Sequence, residues 1–189
     1  PAGWRKTTLE ERHKIMYEAA NRLGEMRGDL IGCMCAITGK TVVEGDVEVS
    51  EGIDYARFYT TSMKLFADLP DVDITPEGTV LVISPWNFPC AIPIGGIVAA
   101  LAGGNTVILK PATVAAPVAW LFAQAFWDAG VPKEALQVII TDRDALKVLT
   151  SAPAIKHIIL TGGTDTAQNI ARSNPSTPLS AETGGKNAI

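Results

Sequence analysis

Hydrophobic spacing divides the chain near residue 70. Up to that point it runs at helical period. Thr8-Leu9-Glu10-Glu11 has the form of a capping box, and Ile15, Ala19, Leu23 and Met26 follow on one face, which predicts a helix over Leu9–Arg27. A second helix is expected over Asp29–Ile37, closed by Gly39, and a third over Asp46–Phe66. In the third, Val47, Ile53, Ala56, Phe58 and Met63 form the apolar side, and Glu44, Asp46, Glu48, Glu51 and Asp54 read as a solvated face. From Pro76 onward short apolar runs alternate with helical segments. Strands are expected at Thr79–Ile83, Thr106–Leu109, Leu136–Ile140, His157–Leu160 and Leu179–Ala181. Helices between them should cover Pro93–Ala102, Pro117–Ala129, Asp142–Thr150 and Thr164–Ser173. Strict alternation of this kind builds an α/β fold with a doubly wound parallel sheet. The expected division is an N-terminal helical segment, residues 1–70, packing on a sheet lobe, residues 71–189.

Composition changes this picture little. At 189 residues, 47% of them hydrophobic, the chain can bury one substantial core. A net charge of −4 with scattered basic residues gives no footprint for nucleic acid or anionic lipid. The uncharged stretch from Thr79 to Leu109 is long enough to cross a bilayer. Pro85, Asn87, Pro89 and Pro93 interrupt it, as do Gly95-Gly96 and Gly103-Gly104, so it reads as buried strands and a helix rather than a membrane span. The N-terminus lacks the apolar core of a signal peptide. Three cysteines, Cys33, Cys35 and Cys90, form no disulfide framework and read as buried thiols in a reducing, cytoplasmic setting. With only His13 and His157 beside them, no metal site is expected.

Polar residues cluster just past strand ends: Ser84-Pro-Trp-Asn87, Lys110-Pro111, Thr161-Gly-Gly-Thr164 and Glu182-Thr-Gly-Gly185. Open α/β sheets bind ligands along that edge, so four clusters there point to one site. Each has a plainer reading beside the functional one. Gly162-Gly163 would let a phosphate approach a helix start, or form an ordinary turn with Thr164 as N-cap. Lys110 would reach ribose hydroxyls or a phosphate, or be a surface lysine. Asn87 would donate to a developing oxyanion, or satisfy its own turn. Glu182 would be a partly desolvated carboxylate working as a base, or a helix cap.

Four segments carry a resemblance to the aldehyde dehydrogenase superfamily: Pro85-Trp-Asn-Phe-Pro89, Gly104-Asn-Thr-Val-Ile-Leu-Lys-Pro-Ala112, Leu160-Thr-Gly-Gly-Thr-Asp165 and Glu182-Thr-Gly-Gly-Lys-Asn187. Within it, Glu182–Ala188 together with Thr161–Ala167 is most similar to 1-pyrroline-5-carboxylate (glutamate γ-semialdehyde) dehydrogenases, including the dehydrogenase module of bifunctional proline-utilisation flavoenzymes. The resemblance implies a Rossmann-like lobe that binds NAD or NADP and serves oxidation of an aldehyde by a cysteine thiolate. It implies Asn87 as oxyanion donor and Glu182 as the base that activates water. Ile83, Ser84, Pro85, Trp86, Lys110, Ala112 and Thr113 would line the cofactor, Gly162 and Gly163 its pyrophosphate, and Thr183 and Gly184 the nicotinamide side.

Three departures matter. The nucleophile of the family lies well downstream of Glu182 and Cys90 matches no such position, so the chain is expected to be inactive alone. Thr113 stands where many members carry a ribose-binding glutamate, which admits NADP beside a favoured NAD. Ile140–Asp144 lacks the glycines usual in that loop. The resemblance also implies a cytoplasmic homo-oligomer when full length, and an apolar surface on the isolated lobe that promotes association. Two other readings remain: an acylating or acyl-phosphate-reducing relative that would not need Glu182, and a non-catalytic interaction module.

Overall fold

The computed structural model describes residues 2–185; Lys186 and Asn187 of the last motif lie outside the described residues. Helices α1 (Ala2–Arg5), α2 (Leu9–Glu25), α3 (Arg27–Thr38) and α4 (Val42–Ala67) come first. Then follow β1 (Thr79–Ile83), α5 (Ala91–Ala102), β2 (Thr106–Lys110), a 3-10 turn (Thr113–Ala115), α6 (Ala116–Asp128) and β3 (Leu136–Val138). The chain continues through α7 (Arg143–Thr150), β4 (Ile155–Gly162), α8 (Thr164–Ser173) and β5 (Leu179–Thr183).

All five strands pair in parallel in the order β3-β2-β1-β4-β5, the doubly wound arrangement expected from the sequence. Strand β1 sends alternate side chains to opposite faces. Val80 and Val82 join a core with Val107, Leu109 and Leu136 under α2 to α6, where Phe122, Phe126, Leu23 and Leu101 are fully buried. Leu81 and Ile83 face the other way, against Ile158, Leu160 and the apolar sides of α7 and α8. The turn into β2 needs Gly104: its φ is +80°, and a Cβ there would lie 2.8 Å from Pro76 Cγ. Beside it, Arg12 of α2 is buried, its Nε donating to the Ala102 carbonyl at 2.9 Å and its Nη1 to the Thr7 carbonyl at 2.6 Å.

Several boundaries and faces differ from the sequence expectation. Helix α4 starts at Val42 rather than Asp46, because Thr41 and Glu44 form a second capping box. Helix α5 starts at Ala91, ahead of Pro93. Strand β4 extends at both ends, and β5 runs on to Thr183, so Glu182 lies within a strand instead of beyond one. The expected apolar side of α4 is only half right: Ile53 and Ala56 are buried, but Val47 and Phe58 are each 62% exposed. Val43, Val47, Phe58 and Leu65 make a second apolar stripe that faces solvent, while Val49 and Thr60 turn inward. Helical periodicity cannot rank two apolar stripes on one helix. Glu48, read as solvated, is 1% exposed. Cys33 and Cys35 are half-buried, and of the three thiols Cys90 alone is fully buried. Among the described residues no helix is long and apolar enough to cross a membrane, and no cluster of three His, Cys, Asp or Glu side chains could hold a metal.

Phe126→Ala is expected to cost about 3–5 kcal/mol in denaturant unfolding, since its ring is wholly enclosed. Hydrogen bonds from the Thr8 and Thr41 backbone, then from their hydroxyls, hold the Glu11 and Glu44 carboxyls below their ordinary value of 4.5. A carboxyl lower in the folded than the unfolded state adds stability above its unfolded pKa and loses it as pH falls through the folded value. Thermal melts should therefore be insensitive to these groups above pH 4.5 and decline below it, with a shallower acid decline in the E11Q/E44Q double variant.

Candidate functional site

Strand order reverses between β1 and β4, and parallel sheets open a crevice at that switch point, outside the carboxyl ends of the strands. Register decides what meets there. Ile83 lies opposite both Lys110 and Leu160, Thr161 opposite Glu182, and Gly162 opposite Thr183. With about 4.8 Å between strands, Lys110 and Glu182 bracket a rim of about 14 Å.

The rim opens into a groove of ≈ 1450 Å³. Ile83, Ser84, Pro85, Trp86, Asn87, Lys110, Ala112, Gly162, Gly163, Glu182, Thr183 and Gly184 all line it. Thr113 does not: it opens the 3-10 turn beyond Ala112, exposed and outside the groove wall. The facing walls are α7, with Arg143 and Lys147, and the first turn of α8, with Thr164, Asp165 and Thr166. Sequence reasoning passed over Arg143 and Lys147. Two basic side chains four apart on one helix face were the available signal, but which helix walls the crevice depends on sheet order.

The geometry removes several of the plainer alternatives. The N-cap of α8 is Gly163, not Thr164, and no side chain caps it, which leaves its first N–H groups free for an anion. Gly162 and Gly163 need be glycine for no internal reason. Gly163 has φ −71°, and a Cβ on either residue would make only ordinary contacts, 3.6 Å to Leu160 and 3.9 Å to Thr166. Both residues line the groove. Lys110 is half-buried, desolvation lowers its ammonium pKa, and no acidic side chain among the described residues lies within ion-pair distance of it. Ser84 is 5% exposed and its hydroxyl has no hydrogen-bond partner among the described residues. A cation, an orphaned hydroxyl, an uncapped helix start and a cradle that a Cβ would fill suit the ribose and phosphate groups of a dinucleotide.

In the turn after β1, Asn87 is exposed, and among the described residues its amide makes no bond to the turn that carries it. With Trp86 it also lines a second groove of ≈ 520 Å³ on the side of α4, so it stands on the ridge between the two. Glu182 differs from expectation. It is exposed on edge strand β5 rather than desolvated, and it caps no helix. Its charge still reaches Tyr55 of α4, whose hydroxyl donates to Glu51 at 2.9 Å. That bond, then burial, with Glu51, Tyr59 and Glu182 adding to them, raises the Tyr55 pKa to about 12. Cys90 points into the core, where burial and the charge of Glu48 push its thiol far up. None of the three cysteines lines the groove.

The fold and this rim define a class, and comparison with known proteins gives the same one. The aldehyde dehydrogenase family model matches residues 1–189. The bifunctional protein PutA of Klebsiella aerogenes is 36% identical over 98% of this chain and 15% of its own length. The 1-pyrroline-5-carboxylate dehydrogenase of Geobacillus sp. (strain WCH70) is 33% identical over 98% of the chain and 40% of its own length. Among solved structures, proline utilization A from Corynebacterium freiburgense superposes with a TM-score of 0.92 at 39% identity, over 98% of this chain and 20% of that one. The chain belongs to the aldehyde dehydrogenase family, and it spans less than half the length of each of these relatives.

Since packing leaves both glycines free to carry a methyl group, G162A and G163A should unfold at or slightly above the stability of the parent, by up to about 1 kcal/mol. Calorimetric titration should show dinucleotide affinity falling by on the order of tenfold, about 1.4 kcal/mol.

Proposed function

We propose that this chain is the NAD(P)-binding part of an aldehyde dehydrogenase that oxidises glutamate γ-semialdehyde to glutamate in proline catabolism. The observation that carries the reading is the groove at the β1/β4 switch point, where Lys110, Ser84, Asn87, Gly162, Gly163 and Glu182 meet with their polar groups unspent. The substrate rests on the names of its relatives, 1-pyrroline-5-carboxylate dehydrogenases and bifunctional proline-utilisation proteins.

In this reading Lys110 and Ser84 hold the ribose and phosphate oxygens, the α8 N-terminus behind Gly162-Gly163 takes the pyrophosphate, and Thr183 and Gly184 flank the nicotinamide. When bound, the cofactor supplies the hydride acceptor. A cysteine thiolate from outside this chain adds to the aldehyde carbon, and the carbonyl electrons move onto oxygen. The Asn87 amide donates to that oxygen and so lowers the barrier to its formation. Once the carbon has lost hydride, the resulting thioester is cleaved by water whose proton Glu182 accepts, which releases the thiolate and the carboxylic acid. Exposure on β5 gives Glu182 direct access to that water. Either dinucleotide is read as the cofactor, NAD ahead of NADP. The full-length protein is read as a cytoplasmic homo-oligomer.

Glu182→Gln in the full-length protein tests the proposal. With glutamate γ-semialdehyde and NAD, the variant should release about one equivalent of reduced nicotinamide per site as a burst and then stall. Intact-mass measurement should find an acyl adduct on a cysteine. Steady turnover equal to the parent would rule out the hydrolytic role of Glu182, and a parent inert toward the semialdehyde would rule out the substrate.

A further inference from the structure

The turn that carries Trp86, Asn87 and Phe88 is anchored from a part of the chain outside the dinucleotide groove. On its upstream side the Ser84 N–H donates to the Lys110 carbonyl at 3.2 Å, and the Ala112 N–H to the Ser84 carbonyl at 3.1 Å. Downstream it enters α5 at Cys90, a helix start that no local side chain caps. The cap arrives from α4 instead: one oxygen of Glu48 accepts from the Cys90 N–H at 2.7 Å and from the Ala91 N–H at 3.1 Å. The other oxygen accepts no well-angled hydrogen bond but sits 3.0 Å from Lys40 Nζ, with the Glu48 side chain 1% and the Lys40 side chain 12% exposed. The same ammonium lies 4.1 Å from the centroid of the Phe88 ring. One largely buried ion pair thus links α4 to the Cys90 and Ala91 backbone just past the turn and to the Phe88 ring within it.

Stability alone does not explain this device. A serine or aspartate at the helix start would cap α5 locally. An apolar residue on α4 would avoid withdrawing two charges from water, an exchange that is often neutral or favourable. What a local cap could not do is couple α4 to the backbone that aims Asn87. We propose that Glu48, with Lys40, is a positioning residue for the Asn87 amide, holding its turn at the distance and angle at which the amide meets the reacting oxygen. The inference rests on Asn87 acting as oxyanion donor. Such donors work because they are fixed before the charge develops, and a displacement of about 1 Å at a reacting centre can cost on the order of 100-fold.

The experiment is a double-mutant cycle in the full-length protein, followed by nicotinamide absorbance with glutamate γ-semialdehyde and NAD. Glu48→Gln keeps the shape and one acceptor oxygen but loses the charge. It should lower kcat by about tenfold, with NAD affinity by calorimetry within about twofold of the parent, since Lys110, Gly162 and Gly163 do not lean on it. Asn87→Ala should lower kcat by about 100-fold or more. In the Asn87→Ala background, Glu48→Gln should cost less than about a further twofold, because the group it positions is gone. Multiplicative losses would show that Glu48 acts elsewhere and overturn the inference while leaving the Asn87 reading intact. An Asn87→Ala enzyme with parental kcat would remove the oxyanion reading and this inference together. Should Glu48→Gln fail to fold, Lys40→Gln, which leaves both helix-start bonds in place, enters the same cycle with the same deciding outcomes.

Discussion

Parallel pairing of β1 with a neighbour on each side is the constraint on which the molecule turns. A strand in that position presents one set of side chains to each face, and both faces must be covered. The crossover through α5 and α6 covers one face, and α7 and α8 cover the other. Strand order then has to reverse at β1, and the reversal leaves a crevice that neither layer fills. Val80, Leu81, Val82 and Ile83, four consecutive buried residues, therefore hold the two cores together, and Ile83 also lines the groove.

Polar side chains collect at that crevice because the strands end there. Past Ile83 and Gly162 the ladder stops, and the chain must turn. The turns carry glycine on the groove wall at Gly162 and Gly163, and polar side chains where the fold itself offers no partner. Ser84 shows the second case plainly: it is buried, at the end of β1, with an unanswered hydroxyl. A buried polar group without an internal partner is uncommon, which sets this position apart from the rest of the core.

Helices before the sheet do more than cover it. Helix α4 starts at the capping box at Thr41, and in its second turn Glu48 supplies the cap that α5 lacks locally. Its other exposed groups border the second groove, so one helix both seals the core and frames the ridge on which Asn87 stands. The outward stripe of Val43, Val47, Phe58 and Leu65 leaves apolar surface on the same helix.

How much of this was legible beforehand depends on the range of the interaction responsible. Local patterns carried the strand and helix succession, the parallel architecture and the positions of the polar clusters, because periodicity, glycine turns and capping boxes act within a few residues. The second capping box at Thr41 was equally local and was simply passed over. Strand order, by contrast, decided that α7 and α8 wall the groove, and so brought in Arg143 and Lys147. Register put Glu182 on an exposed edge strand instead of in a desolvated turn. The burial of Glu48 needed a contact with residues 42 and 43 positions away, which no sequence window contains. Which elements form, and which polar residues sit at their ends, is written in local patterns of the chain; which of those ends become neighbours is set only on folding, because burial and charge pairing are properties of partners brought together in space, not of residues along the chain.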